Sequence, residues 1–152
     1  MNDKPYAFSL ITTEFRYEFI SVSPEKEVQK VVLISQTETP KVFNIALLDV
    51  LENGEMSDIS VTNNKDLRTV LATVIKIIEE FLNARNGCFI AFKGSDRRRQ
   101  NFYRNVISRE IISISQKFQI WGGTENDLER FSPHKEYEYY LIERNEGNQE
   151  GE

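Results

Sequence analysis

The sequence is poor in the residues that form disulfides and metal centres. It has one cysteine, Cys88, and one histidine, His134, among 152 residues. A single thiol cannot form an intramolecular disulfide, and structural zinc sites need several Cys or His ligands. We therefore predict no disulfide, no metal and no cofactor.

Long hydrophobic runs are also missing. No window approaches the ~18 consecutive apolar residues that a transmembrane helix needs. The first five residues, MNDKP, are polar and lack the charged-then-apolar pattern of a signal peptide. These features predict a cytoplasmic protein without a membrane partner.

Aromatic residues, by contrast, are abundant enough to build a core. Ten Phe, six Tyr and one Trp carry large buriable surfaces, and a chain of 152 residues suits one domain. The last eight residues hold three acids, two glycines and no apolar side chain. We therefore predict a single domain over residues 1–144 and a disordered acidic tail over 145–152.

The first sixty residues have the pattern of strands and turns. Aromatic residues alternate with other residues from Phe15 to Phe19, which is the period of a half-buried strand. Asn53-Gly54 is a hairpin signal because both residues tolerate a positive φ. The predicted strands cover residues 6–11, 15–20, 28–35, 42–51 and 56–61, as a meander of four or five strands.

The period then changes to that of a helix. Apolar residues recur at steps of three and four from Leu67 to Leu82. Asn63 or Asn64 can cap this helix, and Asn86-Gly87 follows where a C-cap glycine is expected.

The C-terminal third predicts a strand, a second helix and two more strands. Residues 88–92 are short and apolar, and Ser95 is the expected N-cap of a helix whose apolar stripe ends at Phe118. Residues 119–121 and 137–142 are further strands, with Gly122-Gly123 ending the first and a turn or short helix over 126–131. This order predicts an α+β fold: a mainly antiparallel sheet with two amphipathic helices on one face. A parallel pair, and so a mixed sheet, stays open.

Positive charge is concentrated in one segment of an acidic chain. The net charge is -5, yet residues 93–117 hold seven bases and two acids, and the remainder carries -10. Such a segment is a candidate surface for an anion.

The strongest candidate site is the strand-to-helix junction that starts this segment. A helix N-terminus offers free N–H groups, Gly94 allows close approach, and arginines can bind phosphate or carboxylate through two hydrogen bonds each. Its predicted ligand-binding residues are Lys93, Gly94, Ser95, Arg97, Arg99 and Tyr103. Lys93 precedes Gly94, so the segment is not a P-loop. Alternatively, Ser95 only caps the helix and the arginines form a solvated or acid-paired face.

An acid-rich stretch is a second candidate. It offers oxygen ligands of the kind that Mg²⁺ or Ca²⁺ prefers, from Asp49, Glu52, Glu55 and Asp58 and then from Asn63, Asn64 and Asp66. Their spacing does not match a calcium-binding loop, and hairpin ends are commonly acidic for solubility. We favour the structural interpretation.

Two stretches resemble segments of a family of small uncharacterised bacterial proteins. Thr62-Asn63-Asn64-Lys65-Asp66, with Val70 to Val74, is similar to the family's Ser-Asn-Asn-x-Asp…Val-Leu-Ala-Thr-Val segment. Gly94-Ser95, with Arg99 and Tyr103, is similar to its Gly-Ser-Thr-x-x-Arg-x-x-x-Tyr segment.

The likeness extends from Tyr6 to Arg144 and implies a domain extent but no activity. It adds Asn63, Asn64 and Asp66 to the candidate ligand-binding positions. Asp96 stands where the family usually has Thr, which places a negative charge in the proposed anion site.

Two main functions are compatible with these observations. The leading prediction is a non-enzymatic binding module that engages nucleic acid or an acidic protein surface through the basic start of the second helix. The alternative is a small enzyme that acts on a phosphorylated or carboxylated substrate at the same junction, with Asp66 or Asp96 handling protons. No catalytic residue is assigned, and a homodimer that pairs exposed strand edges also stays open.

Overall fold

The computed structural model of the protein describes residues 5–6, 9–11, 15–24, 26–50, 53–54, 56–57, 67–93, 97–133 and 135–145. Within them, two helices and nine strands follow in the order β1 (Ser9–Ile11), β2 (Arg16–Val22), β3 (Glu27–Gln36), β4 (Val42–Val50), β5 (Met56–Ser57), α1 (Leu67–Asn83), β6 (Phe89–Phe92), α2 (Arg97–Ile114), β7 (Phe118–Gly123), β8 (Leu128–Arg130) and β9 (Tyr139–Arg144). Of the predicted tail, Asn145 donates hydrogen bonds to Lys117 O and Ser115 O, and 146–152 lie outside the described residues.

The nine described strands form one sheet. Its order is β1-β2-β3-β4-β6-β9-β7-β8, with β5 paired to β4. Neighbours are antiparallel except β4 and β6, which run parallel from Val42↔Phe89 to Asn44↔Ala91. Parallel neighbours need a crossover connection, and α1 is part of the connection between β4 and β6. The α+β class with a mainly antiparallel sheet is confirmed, and the sheet is mixed.

Alternation along the strands gives the sheet one strongly apolar face. Every second side chain of a strand points to the same face of the sheet. The buried residues of neighbouring strands therefore lie opposite one another on that face. Pairs on this face are Tyr17↔Val32, Phe43↔Ile90, Ile90↔Ile142 and Ile142↔Ile120.

Both helices contribute side chains to the same core cluster as this face. Val70, Ile77 and Phe81 of α1 and Ile107 and Ile114 of α2 are buried in it. Their spacing of four and seven residues places them on one side of each helix, and packing of that apolar side stabilises the helix. Neither described helix is long and apolar enough to cross a membrane.

Two turn predictions are confirmed by backbone angles. Gly54 has a φ of 86° between β4 and β5, and Gly87 has a φ of 80° after α1. Both lie in the left-handed region, which costs a residue with a Cβ about 1–2 kcal/mol.

Three predictions in the C-terminal third are wrong. Phe118 does not continue the second helix: α2 ends at Ile114, the Lys117 N–H closes a turn on the Ile114 carbonyl, and Phe118 opens β7. Residues 126–131 form no short helix, because 128–130 pair with β7 as an edge strand.

Gly122-Gly123 does not end the strand either, since both glycines lie inside β7. A Cβ built on Gly122 would lie 2.5 Å from carbons of the Tyr137 ring, and one on Gly123 would collide with the Tyr139 ring. These glycines therefore serve the close packing of two tyrosines on the sheet.

Candidate anion-binding site

The predicted site lies where an interior strand passes into a helix. β6 ends at Phe92, Lys93 follows as an exposed residue, and α2 begins at the exposed Arg97. Arg99 and Tyr103 belong to α2. Gly94 and Ser95 lie outside the described residues.

The other predicted positions, Asn63, Asn64 and Asp66, precede α1 and also lie outside the described residues. Their part in ligand binding therefore stays a prediction. His134 is likewise outside the described residues.

The described cations at the start and outer side of α2 are not neutralised within the described part of the chain. Lys93, Arg97 and Arg109 are exposed, and their side chains make no hydrogen bond or ion pair with other described residues. Surface ion pairs elsewhere show the contrast: Lys135 lies 3.0 Å from a Glu129 oxygen. Two other cations of the segment are paired, Arg104 with Glu136 and Lys117 with Glu79. The exposed charges fit both an anion site and the solvated face of the alternative, so the site stays a prediction.

Two other residues of α2 hold the helix against the rest of the molecule. Gln100 Nε2 donates a 2.8 Å hydrogen bond to the Tyr137 carbonyl, and Arg104 Nη1 lies 3.7 Å from Glu136 Oε1. These contacts join the first two turns of α2 to the segment that leads into β9. The exposed cations are therefore carried by an anchored helix.

An aromatic cluster lies beneath the junction. Phe92 stacks on Tyr140 with ring centroids 5.1 Å apart. The centroid of the Phe131 ring lies 5.8 Å from that of Tyr137 and 5.9 Å from that of Tyr140. Tyr137 and Tyr140 are buried and Tyr139 is half-buried. Tyr137, which precedes β9, and Tyr140 within it belong to the core cluster, and Tyr139 packs over Gly123.

The Tyr140 hydroxyl is a buried polar group without a described hydrogen-bond partner. Burial disfavours the phenolate and raises the pKa of Tyr140 to about 12, and the nearby positive charge of Arg104 opposes that rise. The fold therefore favours the neutral form of this hydroxyl.

The Tyr137 hydroxyl, by contrast, is fully engaged. It donates to Glu129 Oε2 at 2.8 Å and accepts from the Ser132 N–H at 2.9 Å. The hydrogen bonds that Tyr137 and Lys135 donate lower the pKa of Glu129, and burial raises the pKa of Tyr137. This network holds the 129–137 segment in place under α2.

A buried ion pair was missed by the sequence analysis. Lys30 Nζ and Asp49 Oδ1 lie 2.5 Å apart, with side chains only 3% and 2% exposed, on adjacent strands at directly opposed positions. Asp49 is therefore not a solubilising acid of the hairpin end, because the fold buries it. The signal was present in the pattern, since both residues stand at positions whose neighbours two residues away are apolar.

The described residues offer no metal centre. No group of three or more His, Cys, Asp or Glu side chains among them could hold a metal ion. The acids around the β4–β5 hairpin that stay candidates, Glu52, Glu55 and Asp58, fall outside the part of the chain that the structure describes.

Comparison with known proteins gives one match. A family model described as a family of unknown function (DUF6934) matches residues 2–145. No curated protein and no solved structure matches the chain.

Proposed function

Because the chain belongs to the DUF6934 family, whose function is unknown, we propose a function from the site itself: a non-enzymatic module that binds an anionic partner through the basic start of α2. The observation that carries the proposal is the pair of exposed cations Lys93 and Arg97, which make no ion pair within the described residues. They flank the start of an anchored helix whose dipole adds positive potential at that end.

The arrangement of the fold favours this surface as the point of contact. We propose that both helices cover the same face of the sheet, because side chains of α1 and α2 line one cavity together with strand residues. The polar side of α2 then faces solvent. Within a cytoplasmic protein of net charge -5, this surface is the place where attraction to an anion outweighs the general repulsion.

Nucleic acid and an acidic protein surface both match this charge, and salt dependence separates them. Each phosphate that the protein contacts releases condensed counterions. The logarithm of the affinity for duplex DNA therefore falls linearly with the logarithm of the salt concentration, with a slope of about 0.9 per phosphate contact. An acidic peptide lacks the condensed atmosphere of a duplex. We expect a shallower salt dependence for it.

The test is fluorescence anisotropy with labelled duplex DNA, single-stranded RNA and poly-glutamate, titrated with salt. The variant Lys93→Ala/Arg97→Ala is expected to weaken binding to the bound probe and to lower the salt slope by about one per contact removed. The control Lys26→Ala/Lys41→Ala removes the same charge from two exposed lysines outside the segment. It should bind as the wild type does.

Each outcome is decisive. Equal loss of binding in both variants would show a general charge effect and would contradict a site at α2. No binding to any probe at low salt would refute the module. Turnover of a phosphorylated or carboxylated substrate that the α2 variant abolishes would instead establish the enzymatic alternative.

A further inference from the structure

A cavity of about 110 Å³ lies between the two helices and the sheet. Its walls come from β4, α1, β6, α2, β7 and β9, and all twelve of its described lining residues are hydrophobic. Among them are Leu47, Val74, Ile107 and Ile142, so that the cavity is bounded by strand residues on one side and by both helices on the other.

Water is a poor occupant of this space. A buried water needs two to four polar partners, and a cavity lined by aliphatic and aromatic side chains stays dry. An empty cavity is also costly, since the lining atoms lose dispersion contacts in proportion to the volume left unfilled. An apolar occupant would restore those contacts without burying a polar group.

The cavity has an approach from solvent. Leu71, Val74 and Ile75 line it from α1 and are only half-buried, so the cavity reaches the surface along this helix. A ligand can therefore enter without unfolding the core.

We propose that this cavity is a binding site for a small, uncharged, apolar molecule of about the size of benzene. Size supports this class, because an engineered apolar cavity of about 150 Å³ in another protein binds benzene or xenon. A peptide or a second protein chain is too large for 110 Å³. A charged ligand would lose its hydration without gaining a partner. The site is separate from the α2 surface, so it stands or falls independently of the proposed function.

Thermal unfolding with benzene tests the proposal on the whole chain. At a benzene concentration tenfold above its Kd, we expect a rise in Tm of about 3–6 °C for a protein of this length, and the rise should grow with the logarithm of the benzene concentration. Phenol has the same ring with a hydroxyl group that finds no partner in the cavity, and we expect it to bind at least about tenfold more weakly. Methyl NMR should show shifts centred on the lining isoleucines.

Two variants locate the effect. Val74→Phe fills the cavity from α1 and should abolish the benzene-dependent rise in Tm. If this variant does not fold, Ile107→Phe, which fills the cavity from α2, takes its place. Val22→Phe makes the same substitution at a residue that is 46% exposed, and should keep the rise. The proposal is overturned if benzene produces no rise in Tm and no saturable methyl shifts in the wild type. A rise that survives in either folded filling variant would also overturn it.

Discussion

Replacing Lys30 by Met removes the cation from the buried ion pair and leaves the Asp49 carboxylate unpaired. Solvent cannot take the place of Lys30, because the two side chains are 3% and 2% exposed. The other carboxylate oxygen, Oδ2, already lacks a described hydrogen-bond partner. Breaking a buried pair in this way costs about 3–5 kcal/mol, a large part of the ~5–15 kcal/mol by which domains are stable.

Urea and thermal unfolding measure this loss. With about 2–4 °C per kcal/mol for a chain of this length, we expect the Tm of Lys30→Met to fall by about 6–20 °C. The double variant Lys30→Met/Asp49→Leu replaces both charges by apolar groups and should recover most of the loss, since such replacements are often neutral or stabilising.

Lys76→Met provides the matched control. Lys76 pairs with Glu79 at 3.3 Å but is 47% exposed, so its replacement should cost no more than about 1 kcal/mol. If Lys30→Met were as mild as this control, or if the double variant were no more stable than the single one, the assignment of Lys30 and Asp49 as a buried, mutually dependent pair would be refuted.

Two further variants test the packing beneath and beside α2. Tyr140→Phe removes a buried hydroxyl without a described partner, so unfolding at pH 7 should show unchanged stability or a gain of about 1 kcal/mol. Burial raises the pKa of Tyr140 from 10.0 to about 12, so the folded state favours the neutral phenol. The free energy of unfolding of the wild type should therefore fall as the pH rises through this range, and that of Tyr140→Phe should fall less. Equal losses in the two proteins would contradict the burial of the hydroxyl. Gly122→Ala places a Cβ 2.5 Å from the Tyr137 ring and should cost about 1–3 kcal/mol. Gly54 has open space around it but a φ of 86°, so Gly54→Ala should lose only the stability that corresponds to its backbone strain. If Gly122→Ala were as stable as the wild type, the Tyr137 ring would be free to move.

The parts of the fold that sequence analysis predicted are those with a strong local period. The alternation around Tyr17 and Phe19 predicted β2, and the stripe from Leu67 to Leu82 predicted α1, because each pattern reflects burial of one face. β8 was missed because the Leu128–Arg130 strand lies at an edge, where Leu128 is 48% exposed and no alternation of burial is required.

Features that depend on distant residues could not be predicted in the same way. Gly122-Gly123 has the composition of a turn, and only the tyrosines packed over it explain why it lies inside a strand. The concentration of positive charge around Lys93 and Arg97 could be read from the sequence because it depends only on neighbouring residues in the chain. The aromatic cluster under them depends on the pairing of β6 with β9, which joins Phe92 to Tyr140 across about fifty residues of chain.

The parallel register of β4 and β6 has a consequence for the order in which the protein folds. Strands β1 to β4 are consecutive hairpins whose partners are close in the chain, and β6 to β9 form a second antiparallel group. Only the three residue pairs from Val42↔Phe89 to Asn44↔Ala91 join the two groups within the described sheet. Loop closure around α1 delays this pairing. Pairing of β6 with β9 also spans about fifty residues, from Phe92 to Tyr140. Strands β1 to β4, and β7 to β9, would therefore gain amide protection early in refolding, and β6 would pair with its two neighbours last.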